Sequence, residues 1–212
     1  MNISPEIYQR YLADLLKGDR AACYSRVRSL LEADIDLKEL YVDLFQRSLY
    51  EVGGLWERNL ISVSAEHLAT AMTESLLSLA YPRLFNTERK GRKAVVSCVS
   101  NEYHQIGGKM VADTLELQGW DGYFLGADTP LRDLIEMVDE KKPDLVGLSL
   151  AVFMSMSKLM EALEALRAEF PGLDIIVGGQ AFRWGGVAAV EAYPNVHYIA
   201  SIFDLEARIA TY

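Results

Sequence analysis

Ala94-Val95-Val96-Ser97-Cys98-Val99-Ser100-Asn101-Glu102-Tyr103-His104-Gln105-Ile106-Gly107-Gly108 contains, in order, an apolar run, a polar loop and the opening of a helix. An apolar run over 94–99 suits a strand buried on both faces. The same alternation continues downstream, with a helix through Met110, Leu115 and Leu117 and then a strand over 121–125. A helix over 130–138, a strand over 144–150 and a helix over 159–170 come next. A strand over 174–177 runs into Gly178-Gly179, a fifth strand covers 196–200 and a last helix covers 204–209. Strands alternating with helices imply right-handed crossovers and a flavodoxin-like (Rossmann-like), doubly wound, five-stranded parallel sheet. In such sheets ligands sit beyond the carboxyl ends of the strands, which is where 100–108 falls.

Upstream the chain reads as helix alone. Ile7, Tyr11, Leu12, Leu15 and Leu16 recur at helical spacing, and Val27, Leu30 and Leu31 do so in a segment opened by Asp19. Asp36, with Glu39 three residues later, has the pattern of a capping box. The stripe Leu40, Leu44, Leu49 and Val52 is expected to end at Gly53-Gly54. A final helix begins near Ser62 or Ser64 and runs through Leu68, Met72, Leu76 and Leu79 to about Leu84, with Pro82 expected to kink or end it. Four helices with short connections predict an N-terminal antiparallel four-helix bundle. The polar, basic run 86–93 reads as a connection. The expected organisation is a helical cap over 1–86, a linker over 87–93 and an α/β domain over 94–212.

Half of the 212 residues are apolar and 24% charged, enough to bury a sizeable core. No stretch approaches the roughly 20 apolar residues of a membrane helix. Residues 1–16 carry Glu6, Arg10 and Asp14, unlike a signal peptide. Lys plus Arg of 21 against Asp plus Glu of 30 gives a net charge of -9, which argues against a nucleic-acid backbone or an anionic membrane as main partner. Cys23 and Cys98 make neither a disulfide framework nor a Cys-x-x-Cys site. A cytoplasmic protein with a small-molecule or protein partner is the expectation.

The loop 100–108 lacks the Gly-x-Gly-x-x-Gly phosphate cradle and the Walker lysine. It carries Glu102-x-His104-x-x-Gly107 instead. A histidine that binds metal through one ring nitrogen usually donates the other N–H to a carboxylate, and Glu102 can supply one. With no second histidine or cysteine pair nearby, a protein-only zinc or iron site lacks ligands. Two readings follow from the loop: a histidine merely hydrogen-bonded to an acid, or one axial ligand to a metal whose other ligands belong to a cofactor.

With Ser149-Leu150-Ala151 after the third strand and Gly178-Gly179 after the fourth, the domain resembles the cobalamin-binding Rossmann-like domain. That family occurs in methionine synthase, corrinoid methyl carriers and cobalamin-dependent photoreceptors, and carries Asp-x-His-x-x-Gly, Ser-x-Leu and Gly-Gly at these places. The resemblance implies that His104 displaces the cofactor's dimethylbenzimidazole and binds cobalt from below. It implies that the freed nucleotide tail enters the sheet past Gly107, Gly178 and Gly179, with Ser149 as hydrogen-bond partner. It also implies cofactor contacts at Ile106 and Ala151. Two departures stand out: Glu102 replaces the family's Asp, and Ala151 its Leu.

Trp56 and Glu66-His67 resemble the Trp-x9-Glu-His signature of the photoreceptor helical domain. The resemblance implies that Trp56 packs over a 5′-deoxyadenosyl group, that Glu66 contacts it, and that His67 binds cobalt once light has removed it. Adenosylcobalamin is thereby favoured over methylcobalamin or hydroxocobalamin. The expected function is a stand-alone, non-enzymatic cobalamin sensor that responds to light and signals to a protein partner or a second copy, without direct DNA or membrane contact. The rival is a corrinoid methyl carrier of a methyltransferase system; a third reading is a flavodoxin-like protein for another nucleotide. Met154, Met156, His197 and Trp184 have no assigned role, although Trp184 could line the pocket.

Overall fold

The computed structural model of the chain describes residues 3–85 and 87–212. They fall into two compact units that divide after Phe85. The expected boundary residue, Asn86, lies outside the described residues, as do Met1 and Asn2.

In the first unit, α1 (Pro5–Lys17) is capped by the Ser4 hydroxyl, which accepts from the Ile7 N–H at 3.3 Å. Helix α2 (Arg20–Glu32) is capped by Asp19, which accepts from the Ala22 N–H at 3.0 Å. Asp36 caps α3 (Leu37–Glu39) through the Lys38 N–H at 2.8 Å. The capping box is not closed, because the Glu39 carboxylate accepts from the Ile3 N–H. The helix then widens into a π-helical stretch, Leu40–Gln46, and resumes as α4 (Arg47–Glu57). Gly53-Gly54 lie inside α4 rather than ending it. The chain breaks at Asn59, in the left-handed region, where the Leu60 N–H returns to the Leu55 carbonyl at 2.9 Å.

Helix α5 (Val63–Leu77) starts at Ser62, whose hydroxyl accepts from the Ala65 N–H at 3.2 Å. A tight turn, Ser78–Ala80, separates it from α6 (Tyr81–Leu84). Pro82 thus sits in the first turn of a new helix, where its missing N–H costs nothing. Tyr8, Tyr11, Leu15, Tyr41, Leu44 and Phe45 are all but sealed from solvent and form the core of this unit.

The second unit is a sheet of β1 (Lys93–Cys98), β2 (Asp121–Phe124), β3 (Leu145–Ser149), β4 (Asp174–Gly178) and β5 (Val196–Ile199), all parallel, in the order β2-β1-β3-β4-β5. Helices α7 (Ile106–Leu117), α8 (Leu131–Lys141), α9 (Met156–Glu169), α10 (Val187–Glu191) and α11 (Ile202–Ile209) connect and follow the strands. Alternate strand residues face opposite layers. Val95, Val146 and Ile175 pack with Leu134, Leu163 and Val190 of α8, α9 and α10. Val96, Leu145 and Ile176 pack with Leu115 and Leu205 of α7 and α11. The fold class is the doubly wound one expected; α10, after β4, is an element the sequence reading lacks. The run read as a linker is held to this unit: the Lys90 N–H donates to the Gly119 carbonyl at 2.8 Å, and Arg89 donates to the Trp120 carbonyl at 2.7 Å. The strand order reverses between β1 and β3, so the loops after these two strands part there and open a crevice.

Candidate functional site

The carboxyl ends of β1 and β3 bring Glu102, His104 and Ala151 together. Glu102 is fully buried. Its Oε1 accepts from His104 Nδ1 at 2.7 Å and from the His104 N–H at 2.9 Å. Its Oε2 accepts from the N–H groups of Ala151 at 2.8 Å and Val152 at 2.9 Å. Burial pushes this carboxyl upward, but the His104 ring and the three backbone donors outweigh it and hold it below the ordinary glutamate value. An ionised carboxylate only accepts, so Nδ1 of His104 carries a proton, and in the neutral ring the lone pair is then on Nε2. The imidazole is 58% exposed over this buried anchor. The longer Glu in place of the family's Asp does reach the histidine.

A second residue braces the loop. Asp128, after β2, accepts from the Asn101 N–H at 2.7 Å and from the Tyr103 hydroxyl at 3.2 Å, while its own N–H donates to the Glu102 carbonyl at 2.9 Å. Sequence reasoning missed Asp128. The turn run Gly126-Ala127-Asp128-Thr129-Pro130 was its only signal.

The remaining residues of the sheet unit play different physical parts. Ile106 is buried where α7 begins. Gly107, next to it, borders open space: an added Cβ would meet only the Ser149 hydroxyl, at 3.9 Å. Ser149 is half-buried at the end of β3. Gly178 and Gly179 are demanded by the fold itself. A Cβ at Gly178 would lie 2.9 Å from the Ile199 carbonyl oxygen; at Gly179, whose φ is 118°, it would lie 2.2 Å from that of Leu150. Cys98 lies under the loop, with Sγ 3.8 Å from the His104 carbonyl, and burial pushes its thiol up to about 12, so it stays protonated. Tyr103, Val152, Phe153, Met154 and Trp184 are exposed on the loops of this unit. His197 instead lies against Arg208, whose Nη2 is 2.8 Å from His197 Nε2.

In the bundle, Trp56 near the end of α4 is 47% exposed, and Leu60, Val63 and Leu68 are exposed as well. Glu66, in the first turn of α5, accepts from the Thr70 hydroxyl at 2.9 Å, and its Oε2 lies 2.7 Å from His67 Nδ1. His67 therefore has the same tautomer logic as His104.

Among the described residues no group of three or more His, Cys, Asp or Glu is arranged to hold a metal ion. One imidazole with its Nδ1 anchored, beside the open space at Gly107, suits a metal that comes with its own macrocycle. A sheet of this order with such a histidine after β1 fits a corrinoid-binding domain. The chain belongs to the B12-binding family: residues 92–200 match the B12 binding domain model, and residues 7–81 match a second model of that description. It is 31% identical, over 92% of its length and 60% of the other's, to the HTH-type transcriptional repressor CarA of Myxococcus xanthus. It is 27% identical to dimethylamine corrinoid protein 3 of Methanosarcina acetivorans, over 69% of this chain and 70% of that protein. The monomethylamine corrinoid protein of Methanosarcina barkeri shares the fold, with a TM-score of 0.82 over 97% of both chains at 16% identity. The chain spans about half the length of the repressors it matches. It is a cobalamin-binding protein, related both to those repressors and to dimethylamine corrinoid proteins. No helix among the described residues is long and apolar enough to cross a membrane.

Proposed function

We propose that the chain is a cobalamin sensor rather than an enzyme, with adenosylcobalamin as its native form and light as its trigger. The observation that carries this reading is the Glu66–His67 pair in the bundle. It is a second imidazole whose Nδ1 lies 2.7 Å from a carboxylate, eleven residues beyond an exposed Trp56. The 31% identity to a transcriptional repressor supports a regulatory role. In this reading His104 would hold cobalt through Nε2, with Glu102 fixing the ring, and Ile106, Gly107, Ser149, Ala151, Gly178 and Gly179 would line the path of the nucleotide tail. Bound adenosylcobalamin supplies a cobalt–carbon bond that light can break. With that cofactor bound, Trp56 would cover the alkyl group, Glu66 would accept from its hydroxyls, and His67 would be the residue to hold cobalt once that group is lost. The protein's two states then prefer different packings, which a partner or a second copy reads. The net charge of -9 favours a protein listener over DNA or a membrane surface.

A corrinoid methyl carrier is the second reading, favoured by the dimethylamine corrinoid relatives. One experiment separates the two. Protein loaded with adenosylcobalamin in the dark is illuminated while its absorption spectrum and mass are followed. A sensor changes both; a spectrum that changes only as free cofactor does, with constant mass, refutes the sensor. Methylation of the bound corrinoid by a methyltransferase then supports the carrier.

A further inference from the structure

The Glu102 carboxylate divides its oxygens between two loops. Oε1 serves the ring and backbone N–H of His104; Oε2 serves the backbone N–H groups of Ala151 and Val152. The turn beginning at Val152 projects Phe153 and Met154 into solvent, with Met154 90% exposed. It is also tied to the histidine loop by the Ser155 hydroxyl, which donates to the Asn101 carbonyl at 3.4 Å, a long contact. We propose that Glu102 is a positioning residue with two faces, which sets the axial imidazole and the apolar turn 152–154 as one unit. This rests on the reading of His104 as the lower cobalt ligand.

The chemistry explains why a glutamate stands here. Four donors converge on one sealed carboxylate, and a charged acceptor holds each of them more strongly than a neutral one would. Donors facing each oxygen from opposite loops leave neither oxygen spare. An amide at this position has one acceptor oxygen and one NH2 group, so it can satisfy one loop only and sets a donor against the other loop's donors. An aspartate keeps both oxygens and the charge but is one methylene shorter, so it cannot span both loops without moving one.

The test uses the full chain and two independent readouts. The first is hydrogen exchange of the segment 150–155 without cofactor. The second is the absorption spectrum of added hydroxocobalamin, which distinguishes a histidine from the cofactor's own dimethylbenzimidazole or water as the lower ligand. Glu102→Gln is expected to lose one of the two: about tenfold faster exchange in 150–155, or the histidine-bound spectrum. Glu102→Asp, which keeps the charge, is expected to lose one as well. His104→Ala is expected to lose the spectrum while exchange in 150–155 stays within about twofold of wild type, a separation that a general loosening of the fold would not give. Wild-type behaviour on both readouts in Glu102→Gln and Glu102→Asp overturns the proposal. Exchange in His104→Ala as fast as in Glu102→Gln also overturns it, since the histidine would then be holding the turn. A wild-type chain that never takes up hydroxocobalamin refutes the functional reading instead, while exchange in the cofactor-free variants still reports on Glu102.

Discussion

Gly107 and Gly179 belong to the same sequence pattern, yet the structure predicts opposite consequences for replacing them. At Gly179 the backbone has φ of 118°, and a Cβ would lie 2.2 Å from the Leu150 carbonyl oxygen and 2.8 Å from its carbon. Backbone strain of about 1–3 kcal/mol adds to a collision with main chain that cannot rotate away. Gly179→Ala is therefore expected to destabilise the sheet unit by about 2–5 kcal/mol, a fall in Tm of about 4 °C or more. At Gly107, in the first turn of α7, a Cβ meets only the Ser149 hydroxyl, at an ordinary 3.9 Å. Gly107→Leu should leave stability unchanged or raise it by up to about 1 kcal/mol, since glycine is a poor helix former. Its side chain would instead fill space assigned to the cofactor. An overlap worth about 1–3 kcal/mol weakens cobalamin binding by roughly five- to a hundred-and-fiftyfold. Thermal unfolding of the cofactor-free proteins, and spectral titration with hydroxocobalamin, give the two numbers. Wild-type affinity in Gly107→Leu refutes the assignment of that space to the ligand. A wild-type Tm in Gly179→Ala refutes the claim that the fold itself demands this glycine.

Asp144 is held below the ordinary aspartate range: burial pushes its carboxyl up, but the Lys93 N–H and the Arg92 guanidinium outweigh it. A folded value below the unfolded one stabilises the protein above the unfolded value, and this is lost as pH falls through the folded value. Asp144→Asn should flatten the fall in stability below about pH 4, checked by urea unfolding across that window. Arg167 donates to the carbonyls of Pro171, Leu173 and Pro194, tying the end of α9 to the approaches of β4 and β5. Arg167→Ala is expected to cost about 1–3 kcal/mol by thermal unfolding without changing cobalamin affinity. Trp56→Ala, at a half-exposed position, should shift cofactor-free unfolding by no more than about 1 kcal/mol while altering the rate of the light response.

The sheet was legible because strands buried on both faces are apolar runs, and the ligand loop because helices must start after strands at the carboxyl edge. What stayed hidden depends on packing or on backbone groups. Gly53-Gly54 read as a stop, but α4 continues through them, one turn past the buried Val52. The π-helical stretch carries Tyr41 and Phe45, both fully buried, and no periodicity in the chain announces it. Helix α10 is too short, at five residues, to show a helical period. Glu102 was visible as a partner for His104. Its hold on Ala151 and Val152 was not, because backbone N–H groups leave no mark in a sequence. The glycines after β4 were visible, but only the carbonyls of Leu150 and Ile199 reveal that the chain itself requires them.

The two histidine–glutamate pairs argue for a division of labour. Both imidazoles lie 2.7 Å from a carboxylate through Nδ1, so in the neutral ring of each the lone pair is on Nε2. The Glu102 side chain is fully buried and saturated by backbone donors, so His104 is preset before any ligand arrives. Glu66 is 19% exposed, its other oxygen is shared with the Thr70 hydroxyl, and the His67 ring is 74% exposed. A contact that open to water holds its ring weakly, which suits a ligand needed in only one state of the protein. In the proposed sensor the second pair would serve the exchange of the upper ligand. Glu66→Gln should therefore leave the dark spectrum of bound adenosylcobalamin unchanged and weaken the histidine-bound spectrum formed after illumination. His67→Ala should abolish the latter. If both variants give the wild-type spectrum after light, His67 is not the ligand of the illuminated state, and the case for a sensor loses the pair that carries it.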